Sequence, residues 1–273
     1  MQVELDYSVF PFPRYGYGRA AHGLLYEIFE ARRSRFADYI RAFMSFQGDF
    51  GAVSTSKSPE APTDPFWNNG FFPGLDAVSL YCLMCIHQPS TFCEIGSGYS
   101  TNFAGYAIRQ RRLKTQLVSI DPDPRTEVDS ICDLVLRNRV EDIPPDYFAH
   151  LADGDFLFVD GSHRCFMNSD VAVFFLDILP RLRSGVFVQL HDIFLPYDYP
   201  EQWSDRFYNE QYLLACVLLS QRDLYDIHLA NTFITFDPDL RSLVARLFDH
   251  PSLVATQSSW EPQSGWSFWM RKL

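Results

Sequence analysis

From residue 75 onward, short apolar runs alternate with longer amphipathic stretches, and this alternation predicts an α/β fold with a mostly parallel sheet. Two further observations agree. The 273 residues suit one large domain with additions, since domains commonly hold ~100–200 residues. The apolar runs also end in Gly, Asp or His, and a parallel sheet gathers such residues at its carboxyl edge, where ligands bind.

The elements follow in order. Residues 1–19 are rich in Pro, Tyr and Phe and read as an irregular arm. Across residues 20–47, Leu24, Leu25, Ile28 and Phe29, then Phe36, Tyr39, Ile40 and Phe43, recur at helical spacing, which predicts a helix or helix pair. Residues 48–65 carry Gly, Ser, Thr and Pro and read as a loop. Asp76 to Ile86 reads as a helix broken by Pro89-Ser90. Strands are expected at Thr91–Ile95, Gln116–Ile120, Phe156–Val159 and Val186–Leu190. Helices are expected at Thr101–Arg111, around Ser130–Leu136 and at Ser169–Arg181. A further amphipathic helix is expected at residues 209–219, a sixth strand at Tyr225–Leu229 and a seventh at Ser267–Met270. The chain divides into an N-terminal arm and helical extension, 1–65, and a main domain, 66–273.

Composition narrows the function. With 47% hydrophobic and 21% charged residues the chain is not disordered, and 16% aromatics supply a large core with rings left over for a pocket or interface. The net charge of 23 − 34 = −11 disfavours the phosphate contacts that dominate nucleic-acid binding; Arg111, Arg112 and Lys114 read as a solvated helix end. The sequence has no apolar stretch of the ~18 residues that a membrane helix needs, and Met1 to Phe10 lacks the pattern of a secretory signal. Cys82 and Cys85 form C-x-x-C within an apolar run, which reads as buried thiols rather than a metal site and suits a reducing cytoplasm.

The chemistry lies at the strand ends. The first run closes as Glu94-Ile95-Gly96-Ser97-Gly98-Tyr99-Ser100-Thr101. Its glycines permit a tight turn, and the helix start behind them offers free N–H groups, as in a nucleotide cradle. Thr101 replaces the third glycine of a dinucleotide fingerprint. The second run ends at Asp121, placed to accept hydrogen bonds from ribose hydroxyls. The fourth ends Asp160-Gly161-Ser162-His163 and the fifth ends His191-Asp192. Two acid–histidine pairs on adjacent strand ends can bind a divalent cation or form a base with its orienting carboxylate.

The E-I-G-S-G segment, Glu94 to Gly98, resembles motif I of class I S-adenosylmethionine-dependent methyltransferases. Residues 76–195 resemble the branch that includes macrocin-type O-methyltransferases and cephalosporin-hydroxylase-like methyltransferases, through D-G-x-H and the closing H-D, with Ser184 in place of the first Gly of the G-G pair. The resemblance implies a Rossmann-like three-layer sandwich with a seven-stranded sheet whose last strand is antiparallel. It implies a cofactor site of Glu94, Gly96, Ser97, Gly98, Ser100, Asp121, Asp142 and Asp160, with S-adenosylmethionine as cofactor. Relatives place Mg²⁺ at the ends of strands four and five; Asp160 and Asp192 match two ligands and His191 stands at the third. Imidazole suits Zn, Fe or Ni better than Mg. His163, His191 and Asp160 are the expected catalytic residues, a neutral histidine of pKa ~6.5 serving as base.

The expected acceptor is a small molecule, a hydroxyl of a sugar or natural product, contacted by Asn68, Asn69 and Tyr197. The aromatic segment Phe194 to Trp203 is a candidate wall of its pocket. An NAD-dependent oxidoreductase and a non-catalytic protein that keeps the fold are the alternatives. Nucleic acid and membrane are not expected partners, and a homo-oligomer is left open.

Overall fold

The computed structural model describes Asp6 and residues 8–221, 223–254 and 263–273. Apolar periodicity in the N-terminal third gives α1 (Gly23–Glu30), capped by the His22 ring at Leu25 N–H, and α2 (Arg33–Phe43), followed by 3₁₀ turns to Ala52. The buried faces of both helices, with Phe29, Phe36, Ile40 and Phe43, belong to the same hydrophobic core as the sheet. Next comes α3 (Gly74–His87), buried on almost every side and therefore apolar almost throughout. Its Cys82 and Cys85 are free, and burial pushes both thiols up, Cys85 to about 12.

Five buried residues form β1 (Thr91–Ile95), and α4 (Tyr99–Arg111) starts after the glycine turn. Then follow β2 (Gln116–Ile120), β3 (Leu134–Leu136), β4 (Phe156–Val159), α5 (Asp170–Val173) with a π-helical continuation to Ile178, and β5 (Phe187–Leu190). The C-terminal third holds α6 (Glu210–Ser220), β6 (Tyr225–Ala230), α7 (Asn231–Phe236), α8 (Pro238–Phe248), α9 (Pro251–Val254) and β7 (Phe268–Lys272). Asp237 caps α8 by accepting from Asp239 and Leu240 N–H, with Pro238 at its first position.

The strands form one seven-stranded sheet in the order β3-β2-β1-β4-β5-β7-β6. β7 is antiparallel to both neighbours and the other pairings are parallel. Helices cover both faces, as expected of a Rossmann-like sandwich. The helix expected around Ser130–Leu136 is replaced by a 3₁₀ turn at Asp129–Ile131 and the edge strand β3. Leu134 to Leu136 pair with Val118 to Ile120, and this pairing overrides a weak helical pattern. Among the described residues, no helix is long and apolar enough to cross a membrane.

The order puts β4 at the centre, between β1 and β5, with β2 beyond β1. Asp160 N–H donates to Ile95 O (2.9 Å) and His191 N–H to Val159 O (3.0 Å), so the ladder extends one step past each strand and fixes these residues side by side.

Candidate active site at the carboxyl edge of the sheet

Gly96 turns the chain with φ +83°, and a Cβ there would lie 1.9 Å from the Asp160 carbonyl oxygen, so a side chain is excluded. Ser97 N–H donates to Asp121 Oδ2 (2.8 Å) and its hydroxyl pairs with Ser119 (2.7 Å). Asp123 N–H donates to Asp121 Oδ1 (2.8 Å), so the carboxylate that ends β2 is locked against the turn that ends β1.

Glu94 is fully buried, and its two oxygens accept from the Ser100 and Thr101 hydroxyls. Burial pushes its carboxyl up to about 8, opposed by those hydrogen bonds. Glu94, Ser100 and Thr101 therefore tie the first turn of α4 to β1. Thr101 also accepts from Gly98 N–H (2.9 Å), which gives the residue at the third-glycine position a structural task.

Gly96, Ser97, Gly98, Ser100, Asp121 and Asp160 line a cavity of about 100 Å³. Its cover is a stack: the Arg125 guanidinium lies 4.2 Å from the centroid of the Phe71 ring, which stacks on Tyr99 at 5.8 Å and 16°.

Asp160, His163, His191 and Asp192 converge beside this cavity. Asp170 holds the Gly161–His163 turn by accepting from Ser162 N–H and Oγ. His163 and Asp192 adopt positive φ, +61° and +56°, a strain common at functional sites. His163 Nε2 lies 3.3 Å from Asp160 Oδ1 and 3.4 Å from Asp192 Oδ2. His191 Nδ1 lies 3.6 Å from Asp160 Oδ1 and 3.4 Å from Asp192 Oδ1.

The outer nitrogen of each ring meets a further buried carboxylate: His163 Nδ1 pairs with Glu210, and His191 Nε2 lies 3.1 Å from Asp76 Oδ2. Asp76 also accepts from Trp266 and Ser267 N–H and from the Asn231 amide. Sequence reasoning missed Asp76 and Glu210. The available signal was an acid in the first turn of an otherwise apolar helix, present in α3 and α6.

The electrostatics follow from this crowding. Burial works against charge on both imidazoles, but Glu210, Asp160 and Asp192 hold His163 well above the ordinary histidine range, and Asp160 and Asp192 do the same for His191. The base expected from a free imidazole's pKa is thus displaced toward its protonated form. Burial raises Asp160, yet His191 and His163 outweigh it and hold that carboxyl well below the usual range. Burial raises Asp192 and Glu210.

Asp160, His163 and Asp192 each offer one ligand atom within 4.8 Å of the others, and His191 adjoins them. The imidazole grouped with the two carboxylates is thus His163 and not the His191 expected from the sequence, and such a donor set suits Zn, Fe or Ni better than Mg.

The remaining expected residues lie elsewhere. The Asp142 carboxylate pairs with Arg139 at the surface and does not line the cavity. Asn69 is buried in its own turn, donating to Phe66 O (3.0 Å) and accepting from Phe71 and Phe72 N–H (3.0 and 2.7 Å), so it positions the cover and does not face the cavity. Asn68 is half-buried beside it and donates its N–H to Thr55 O (3.1 Å). Tyr197 packs on Gly16 and on Phe236, with ring centroids 4.9 Å apart in the latter pair. The Tyr208 ring packs against His163, with centroids 4.5 Å apart and planes tilted by 36°, and walls a second cavity of about 500 Å³.

Residues 93–193, which carry the glycine turn, Asp121, Asp160, His163 and the His191-Asp192 pair, match the family model described as a methyltransferase domain. No curated protein matches the chain. Among solved structures it is similar to the plantazolicin methyltransferase BpumL in complex with a triazolic desmethylPZN analog and SAH, at 15% identity over 92% of this chain and 95% of that one, TM-score 0.41. It is also similar to mycolic acid cyclopropane synthase CmaA1 complexed with SAH and CTAB, at 10% identity over 86% and 96%, TM-score 0.33.

Proposed function

We propose that this chain, a class I S-adenosylmethionine-dependent methyltransferase, methylates a hydroxyl oxygen of a small-molecule acceptor at the Asp160–His163–His191–Asp192 cluster. The observation that carries the reading is the convergence of these four side chains against the cavity behind the Gly96–Gly98 turn.

When bound, the cofactor supplies an electrophilic methyl group. The Gly96–Gly98 backbone lets the ligand approach closely, and Asp121, held by Ser97 and Asp123 N–H, is placed to accept from ribose hydroxyls. The cavity is well below the ~300 Å³ of small ligand pockets, so the Phe71–Arg125 cover moves to admit a nucleoside. Much of the rate gain comes from holding acceptor and methyl donor in line.

The acceptor's hydroxyl proton passes to Asp192 Oδ2, the raised carboxyl of the cluster, which lies 3.4 Å from His163 Nε2. Asp160 is the member that lines the cofactor cavity, and it orients the His163 Nε2 and His191 Nδ1 positions. Glu210 and Asp76 fix both rings from outside. A divalent cation fits the Asp160, His163 and Asp192 donors, with His191 adjacent, and would lower the pKa of an acceptor hydroxyl.

Calorimetric titration with S-adenosylmethionine in EDTA, then with Mg²⁺ and with Zn²⁺, tests the reading. Saturable binding that Asp121→Ala weakens is the expected result, with any metal dependence assigned by Asp192→Asn. Absence of binding in all three conditions overturns it.

A further inference from the structure

The second cavity, about 500 Å³, is walled in part by Tyr208, whose ring packs against His163, and it shares no lining residue with the cavity behind the glycine turn. Its size lies within the range of small-molecule sites. Rings dominate its wall: Tyr199, Trp203, Tyr208 and Tyr212 from the segment after β5, and Phe12 from the N-terminal arm. The arm is pinned there because Arg14 and Tyr15 N–H donate to Asp198 Oδ2 (2.5 and 2.9 Å) and Asp198 N–H donates back to Tyr15 O (3.2 Å).

The polar groups inside are already engaged. Asp198 also accepts from the Tyr212 hydroxyl (3.1 Å), Asn209 Oδ1 accepts from Cys165 N–H (2.6 Å), and Arg164 donates to Arg206 O (2.8 Å) and Ser162 O (3.0 Å). Glu201, Asp205 and Arg206 lie on the exposed rim. The Tyr199 ring lines the wall, but its hydroxyl is buried with no surface open to the cavity. Burial and then the Glu210 carboxylate hold that phenol well above its usual range.

We infer that this cavity is the acceptor site of the proposed methyltransferase and that it takes a flat aromatic molecule rather than a sugar. The inference rests on the functional reading above. A sugar brings a hydroxyl on nearly every carbon, and each one buried without a partner weakens binding by ~10- to 100-fold. Here the wall is mostly rings, and Asp198, Asn209 and Arg164 are already engaged within the protein. A planar aromatic stacks on those rings and brings few polar groups that need a partner. Its own hydroxyl then lies at the Tyr208 end, next to His163.

The test titrates 2-naphthol and methyl α-glucoside into the protein loaded with S-adenosylhomocysteine, after the affinity for S-adenosylhomocysteine has been measured alone. Naphthol is expected to bind saturably and the glucoside not at all. Trp203→Ala is expected to weaken naphthol by ~10-fold and Phe12→Ala by ~3-fold, with S-adenosylhomocysteine affinity unchanged in both. Phe12 is exposed, so its variant folds whatever Trp203→Ala does. The inference is overturned if naphthol does not bind, if the glucoside binds as tightly, or if both variants hold naphthol as the parent does. Failure of S-adenosylhomocysteine to bind counts against the functional reading alone, because naphthol binding still decides what the cavity takes.

Discussion

Two pairs of histidines pack against this sheet, one buried and one half-buried, and their surroundings separate them. At the carboxyl edge, His163 and His191 each face three carboxylates. Toward the other edge, His87 and His228 share the Tyr39 hydroxyl (3.1 and 2.7 Å) and pack on Phe187, with ring centroids 4.5 and 4.7 Å away. Burial disfavours charge on all four. The carboxylates reverse that for the first pair, whereas the second is lowered to about 4, His87 by burial and then Arg271, His228 by burial with only Asp226 opposing. Burial alone therefore does not mark a reactive histidine; the charges that share the cavity do.

The comparison breaks most readily at the upper pair. His163→Gln is expected to lower methyl transfer by ~10²- to 10⁴-fold, the usual worth of a positioned acid–base group, while His87→Gln leaves the rate within ~2-fold because that ring touches no part of the site. The measurement is S-adenosylhomocysteine formed per enzyme across a panel of hydroxyl acceptors. Equal losses from both variants would mean that the two pairs do not differ in function.

Glu210→Gln sharpens the contrast. It leaves every donor of the cluster in place and alters only what orients His163 Nδ1. Loss of such an outer partner costs ~10- to 100-fold in metal affinity, so Zn²⁺ binding is expected to weaken by that factor while S-adenosylmethionine affinity holds. Calorimetry with each ligand separately reads both. Asp121→Ala should do the reverse, weakening the cofactor by ~10-fold or more through a lost charge-assisted hydrogen bond and sparing the metal.

Much of the upper site was legible in the sequence because the central strands are short apolar runs that stop at Gly96, Asp121, Asp160 and His191, and a parallel order brings such ends together. β3 was not legible: three residues at an edge carry too little pattern to outweigh a helical reading. Asp76 and Glu210 were not legible as partners because they meet their histidines across 115 and 47 residues of chain, a relation that only the fold creates. Asn69 illustrates the opposite error. An amide beside aromatic residues suggests a ligand contact, but burial turned it on its own backbone. The pair α7 and α8 carried a readable cap, Asp237-Pro238, within a stretch to which the sequence assigned no element.

The smallest effect on turnover belongs to the lower pair, and its signature is stability. Both rings are neutral in the fold, with pKa lowered from 6.5 to about 4. Between those values the unfolded chain binds more protons than the folded one, so their contribution is complete above pH 6.5 and is lost as the pH falls toward 4. His228 sits at a β-bulge, its Nε2 buried without a hydrogen bond and 3.6 Å from Asp226 Oδ2, so protonation there leaves a charge with one partner. Each ring is expected to contribute on the order of 1–3 kcal/mol to this acid limb. His87→Phe keeps the ring contacts with Phe156 and Phe187 and removes one titrating group. Denaturant unfolding at pH 7, 5.5 and 4.5 should therefore show a shallower loss of stability in this variant than in the parent. Parallel curves would mean that His87 contributes nothing to the acid limb and would erase the distinction drawn between the pairs.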